Sequence, residues 1–235
     1  FYEGNYEKSL EYNLKAYEMR RKLFGDSDHE DIAKSLHDIG FCYCKLNRHK
    51  EGFEYYSQTY EMKKKLLGDV DHADIALALD DFSYCYAKLN QHDKALEFSM
   101  ELYEMRKRLF GDIDHKDIAS TLHHIAVNNQ RLQEYQTAIN YYLKSYEMRK
   151  RVFRDEDHKD IALLLYNISY CFDKLDQNKK ALEYSLKSYE MCERLFGDRY
   201  HQYTQSALKG IINSYRKSND QYNARKYENI LRSLK

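Results

Sequence analysis

The sequence predicts an all-α fold, an α-solenoid in which antiparallel helix pairs stack into a right-handed superhelix. Three observations predict it. The tripeptide Tyr-Glu-Met recurs at Tyr17, Tyr60, Tyr103, Tyr146 and Tyr189, always 43 residues apart, with no insertion or deletion. A strict period of roughly 20–50 residues marks units too small to bury their own apolar face, which stack on their neighbours instead. Apolar residues follow helical offsets, and neither an alternating β-branched run nor a proline interrupts them. Small residues hold fixed registers, Gly40, Ser83, Ala126 and Ser169 in the first helix of each unit and Ala95, Ala138, Ala181 and Ala224 in the second. They let the two helices of a pair approach closely and stack with a constant small rotation.

The period divides the chain into one array. Residues 1–25 read as the second helix of a truncated repeat, 26–68, 69–111, 112–154 and 155–197 as full repeats, and 198–235 as the last. The unit from Asp114 to Phe153 shows each element. Asp114 stands where a helix cap is needed, and Asp117, three residues on, adds a second carboxylate at the positive end of the helix dipole. Ile118, Leu122, Ile125 and Ala126 form the stripe of an amphipathic helix to about Leu132. Gln133-Glu134-Tyr135 makes a short turn, at a position where Asn47 and Asn90 stand in earlier units. The second helix turns Ala138, Ile139, Tyr142, Ser145, Tyr146, Met148 and Val152 inward and ends near Phe153. Gly25, Gly68, Gly111 and Gly197 follow the other second helices as left-handed C-terminal caps. Arg154 replaces that glycine here, at a cost of about 1 kcal/mol if the conformation is kept.

Composition excludes several function classes. Thirty-eight basic residues balance 38 acidic ones, whereas a general nucleic-acid or membrane-surface binder needs a basic excess. No apolar run approaches the ~18 residues of a membrane span. The first residue, Phe1, lies inside a repeat, as expected of an excerpt from a longer protein. The five cysteines, an odd number with no secretory signal, point to reduced thiols in the cytoplasm. Cys42, Cys85 and Cys171 share one register and read as buried packing residues, while Cys42 and Cys44 are spaced wrongly to converge on one helix face.

Histidines at 29, 72, 115, 158 and 201 form a ladder, one per unit. Rungs a repeat apart are too distant for one metal ion, so the expected role is capping and loop packing. His123 and His124 are neighbours that point about 100° apart and cannot chelate one ion. No nucleophile, phosphate loop or catalytic carboxylate pair emerges. The expectation is therefore no enzyme activity, no catalytic residue, no metal and no cofactor.

Leu36, Ile39, Gly40, Tyr43 and Asn47 in one unit, and Leu165, Ile168, Ser169, Phe172, Asp176 and Ala181 in another, follow a spaced large, small, aromatic and turn pattern. That pattern resembles the tetratricopeptide repeat. The stretch from Tyr103 to Ala119, Tyr-Glu-Met-Arg-Lys-Arg-Leu-Phe-Gly-Asp-Ile-Asp-His-Lys-Asp-Ile-Ala, is similar to the long repeats of kinesin light chains and nephrocystin-like proteins. Glu30, Ala73, Lys116 and Lys159 stand where those repeats carry proline, and the usual Asn-Asn pair is reduced to Asn167.

The resemblance implies a concave groove lined by the first helices, with three rows of groove residues. One row is basic in all five units, Lys45, Lys88, Arg131, Lys174 and Lys217. A second is mostly aromatic, Phe41, Tyr84, Val127, Tyr170 and Asn213. The third varies, His37, Asp80, His123, Tyr166 and Lys209, and Asn167, beside Tyr166, is a further groove residue. Basic residues near a helix C-terminus also suit the helix dipole, so the first row has a structural reason as well. The expected function is an adaptor whose groove binds a protein or peptide segment with acidic and aromatic residues. The alternative is a regulatory or sensor array that controls an enzymatic or nucleotide-hydrolysing domain elsewhere in a longer chain. Self-association through the array ends is a third expectation, since Tyr200, Tyr203, Ile211 and Tyr215 open a unit unlike the others.

Overall fold

A computed structural model describes residues 3–25, 27–68, 70–111, 113–197 and 201–234. Among these residues the secondary structure is helical throughout, in eleven helices: α1 (Glu3–Phe24), α2 (Glu30–Lys45), α3 (His49–Leu67), α4 (Ala73–Lys88), α5 (His92–Phe110), α6 (Lys116–Arg131), α7 (Tyr135–Val152), α8 (Lys159–Lys174), α9 (Asn178–Phe196), α10 (Gln202–Lys217) and α11 (Gln221–Ser233). They form two compact units, Phe1–Gly111 with α1 to α5 and Asp112–Lys235 with α6 to α11.

Every first helix is sixteen residues long and opens on the same device. The ladder histidines His29, His72, His115, His158 and His201 are the N-caps. Each adopts extended backbone angles, and its Nδ1 accepts the backbone N–H two residues on, at 3.1–3.2 Å. One of the four orphan donors of the helix start is thereby satisfied. Phe24, Phe153 and Phe196, at the ends of preceding second helices, stack on His29, His158 and His201 with ring centroids 3.6, 3.9 and 3.7 Å apart. Asp114 is not the cap. It makes a two-pronged ion pair with Arg151 at 2.7 and 2.9 Å, as Asp71 does with Arg108 and Asp157 with Arg194. A guanidinium fork offers a carboxylate two charge-assisted bonds, which outcompete a single backbone amide.

The turns between paired helices carry one residue of positive φ each, Asn47, Asn90, Gln133, Asp176 and Asn219. Gly25, Gly68, Gly111 and Gly197 have positive φ after the second helices. Arg154 keeps that sign at φ 54, and Asp155 follows at φ 60. There α7 stops at Val152 with Phe153 as its C-cap, while Phe110 and Phe196 still belong to their helices.

The small residues pack as a repeat array requires. Ser83 Oγ donates to the Ala95 carbonyl at 3.0 Å and Ser169 Oγ to that of Ala181 at 2.9 Å. A methyl group on Gly40 would press on the Tyr56 ring at 2.9 Å. In the first unit Ile75, Ala76, Leu79, Leu102 and Met105 make one core, with Cys44, Tyr56, Phe82 and Cys85 in a second and Leu10, Ile39 and Cys42 in a third. In the second unit Ala126, Ala138, Ile139, Tyr142, Leu164, Ile168, Cys171, Phe172 and Ala181 form a continuous core. The inward stripe of α7 is narrower than its sequence suggests, with Tyr146, Met148 and Val152 only half-buried.

In three copies the residue after Tyr-Glu-Met links successive pairs. Lys63 on α3 is buried and binds Glu30 and Asp74, the latter at 2.8 Å. Arg149 on α7 bonds Asp160 on α8. Arg20 reaches Ser35 Oγ and the Asp31 carbonyl. In the fifth copy both partners change together: Cys192 stands at the cation's register and Tyr203 at the aspartate's. Cys192 is buried.

Candidate functional site on the first helices

The expected groove residues fall on the first helices. In the first unit α2 presents Phe41 and Lys45 one turn apart, and α4 presents Tyr84 and Lys88 likewise. Phe41 and Tyr84 are 43% and 41% exposed, high values for large aromatic side chains. Lys45 Nζ lies 5.0 Å from the centroid of the Phe41 ring and Lys88 Nζ 5.4 Å from that of Tyr84. Each cation sits within reach of the negative face of its ring, a weak attraction at an exposed site.

In the second unit Lys174 lies 5.3 Å from the half-buried Tyr170 ring. Arg131 is exposed but has Val127 in place of the aromatic residue. Lys217 is tied down by Asp173 at 2.8 Å and Asp176 at 3.6 Å, and Asn213 donates to Asp173 at 2.9 Å. The row that is basic in every unit is therefore available to a ligand to differing degrees.

The third row is the most diverse. His37 Nε2 donates to Asp81 across to the next first helix at 3.1 Å, and Asp38 lies 3.8 Å from its Nδ1. Asp81 pushes the imidazole pKa up, against the opposing effect of burial. Asp80 pairs with Arg106 at 3.0 Å. His123 is enclosed by Tyr142, His124 and Asn167, whose amide meets its Nε2 at 3.4 Å. Burial, with the nearby His124 and Arg149 adding to it, drives its pKa down to about 3, so the ring is neutral at physiological pH. Tyr166 is half-buried, with its phenol pushed up by burial, and Lys209 is exposed.

Between α2 and α4 lies a cavity of about 210 Å³. Ala33, Ala78 and Leu77 give it apolar walls, Glu30, Lys34, His37 and Asp74 add polar groups, and Thr59 and Lys63 reach it from α3. Of these the sequence reading found only His37. Lys63 escaped it because a basic run ending a helix reads as solvated, and no local pattern reports that its partners lie on two other helices. In the last pair a cavity of about 380 Å³ includes Lys209 and Asn213, with Arg216, Glu228 and Arg232.

Ile211 is buried, Tyr203 packs on the His201 ring and Tyr215 stacks on Tyr227, whereas Tyr200 lies outside the described residues. Among the described residues, no three His, Cys, Asp or Glu side chains gather to hold a metal ion, and no helix is long and apolar enough to cross a membrane.

A family model described as tetratricopeptide repeat matches residues 1–65, 31–108 and 117–207. No curated protein sequence matches the chain significantly. Among solved structures, BtubC (BKLC) from P. vanneervenii is similar with a TM-score of 0.78 and 13% identity, over 97% of this chain and 90% of that one. A Podosopora anserina protein of nearly identical TPR-like repeats, named for the kinesin light chain, gives 0.73 and 14% over 88% and 97%. The apo form of RapI gives 0.74 and 17% over 97% and 62%. At these identities the likeness is one of fold.

Proposed function

The chain belongs to the tetratricopeptide-repeat family, whose repeats generally mediate protein–protein interaction and typically form non-catalytic scaffolds, and on that premise we propose that it is an adaptor. Its first helices bind an extended peptide segment that carries acidic residues beside an aromatic one. The observation that carries this reading is the pairing of exposed cation and exposed ring in the first unit, Lys45 with Phe41 and Lys88 with Tyr84; the second unit has the same pairing in Lys174 with the half-buried Tyr170. A ring flanked by a cation suits a peptide aromatic stacked between carboxylates, since the ring supplies area and the cation supplies charge. The helices hold these groups in place before binding, so little conformational entropy is lost on the protein side. Soluble cytoplasm is the compartment that fits reduced thiols and a peptide partner.

The test is the affinity of a synthetic acidic–aromatic peptide, measured by calorimetry. Reversing Lys88, Arg131 and Lys174 to glutamate together is expected to weaken binding at least tenfold, about 1.4 kcal/mol. Unchanged affinity in a folded triple variant overturns the assignment.

Self-association is a second reading, favoured by one observation. Tyr12, Met19 and Leu23 on α1 are exposed. Light scattering at two concentrations tests it: growth in mass with concentration supports it, and a constant monomer mass removes it.

A further inference from the structure

The 43-residue register isolates one packing arrangement that the repeat does not require. Cys85 stands in a register shared with Cys42, Asn128, Cys171 and Ser214, but Cys44 does not belong to any such series. Its own register reads Ala87, Gln130, Asp173 and Arg216 in the other units. In the second unit Gln130 Oε1 accepts from the Tyr142 hydroxyl at 2.7 Å and lies 3.6 Å from Cys171 Sγ. The equivalent place in the first unit brings together Cys44, Tyr56 and Cys85, and the two sulfurs are 3.5 Å apart in a core that includes Phe82.

A second departure accompanies the first. The second helices of the later units carry alanine at positions 95, 138, 181 and 224, while α3 carries Gly52. A methyl group on Gly52 would collide with Cys44 Sγ. Glycine weakens a helix interior relative to alanine, so the local sequence yields helix propensity at the one place where this sulfur needs room.

We propose that Cys44 and Cys85 are a dithiol modification site, which an oxidant of the peroxide class converts to an intramolecular disulfide joining α2 to α4. Cys44 lies in the last turn of α2 and is 4% exposed against 0% for Cys85, so it is the sulfur that meets the reagent first. Its thiolate attacks one peroxide oxygen, the O–O bond breaks, and a sulfenic acid and one water result. The Cys85 sulfur then displaces the sulfenic oxygen as a second water and forms the S–S bond. Two thiols and one hydrogen peroxide thus give one disulfide and two waters, and exchange with a small thiol reverses the step. Closing the sulfurs from 3.5 Å to the ~2.05 Å of a bond draws α2 and α4 together at these two residues. The bond closes a loop over a separation of 41 residues, which restricts the unfolded chain.

The experiment treats the intact chain with hydrogen peroxide, alkylates remaining thiols, and maps a digest made without reductant by mass spectrometry. The expected result is a Cys44–Cys85 crosslinked peptide from monomeric protein, lost on dithiothreitol treatment, together with a thermal midpoint several degrees above that of the reduced chain. Cys44→Ser and Cys85→Ser should each remove the crosslink and the rise in midpoint. Should Cys85→Ser fail to fold, Cys44→Gln, the residue the second unit uses, supplies the control. Both thiols still alkylatable after peroxide, over-oxidised single sulfurs, or bonds only between molecules would each overturn the proposal.

Discussion

His37 in the first unit and His123 in the second occupy the same register two repeats apart, and their surroundings correspond residue by residue. Tyr56 packs on His37 with ring centroids 5.4 Å apart, as Tyr142 does on His123 at 5.7 Å. Lys63 corresponds to Arg149 and Asp74 to Asp160. Two neighbours of the imidazole differ: the residue facing it from the next first helix is Asp81 in one unit and Asn167 in the other, and the residue after it in the chain is Asp38 in one and His124 in the other. Asp81, with Asp38 adding to it, raises the proton affinity of His37, while burial, with His124 and Arg149 adding to it, lowers that of His123. Two exchanges on a shared scaffold, Asp81 for Asn167 and Asp38 for His124, thus accompany opposite pKa directions at two equivalent sites.

The reversal gives the largest predicted effect. A histidine whose folded pKa lies near 3 against an ordinary value of about 6.5 stays neutral while the unfolded chain takes up a proton. Stability of the second unit is then complete above about pH 6.5 and falls as pH drops toward 3, by roughly 2–5 kcal/mol at most. Hydrogen exchange of α6 to α8 across that range, with an NMR titration of the His123 ring, measures it. Asn167→Asp should raise the His123 pKa and flatten or reverse the slope. An imidazole that titrates near its ordinary value in the native chain would falsify the account of burial.

The opposite slope belongs to the first unit. The raised pKa of His37 means that its pairing with Asp81 is fully present below about pH 6.5 and is lost as pH rises through the raised folded value. Asp81, pushed up by burial with His37 partly offsetting it, acts in the same direction at lower pH. Replacing the carboxylate by Asp81→Asn should remove the loss of protection in α2 and α4 on going from neutral to alkaline pH, an effect smaller than that at His123. A slope that survives this substitution would assign the pH dependence to some other group, and the comparison with His123 would lose its first half.

How much of this was visible in the sequence depends on the range over which each feature is decided. Helix pairs, the turn at Asn47 and Asn90, and the positive φ of the glycines after the second helices follow from patterns inside one unit, repeated five times. The capping role of the histidine ladder is likewise legible, whereas Asp114 reads as a cap only because its partner, Arg151, lies 37 residues on, beyond any helix-start pattern. The three rows were readable because a constant period aligns them. What they touch was not, since His37 meets Asp81 and His123 meets Asn167 at a separation of 44, one repeat plus one residue. That extra residue is set by how neighbouring first helices slide past each other, and no single unit contains it.

The ends of the second helices supply the finest contrast between the units. Gly68 and Gly111 accept φ of 80 and 71 without a side chain to clash, whereas Arg154 holds φ 54 and is followed by Asp155 at 60. The second unit compensates in part: α7 ends one residue early, Asp155 N donates to the Lys150 carbonyl at 2.8 Å, and its carboxylate pairs with Lys150 at 3.1 Å. Arg154→Gly should therefore recover only part of the usual cost of a left-handed side chain, and glycine also frees the unfolded chain. The expected net gain is about 0.5 kcal/mol, seen as a higher urea midpoint at unchanged m-value. The same substitution made together with Asp155→Ala should lose that gain, because the bond that holds the early end of α7 is then gone. If the single substitution instead lowers the midpoint, the arginine itself stabilises this end, and the departure from glycine is an adaptation of the second unit rather than a tolerated strain.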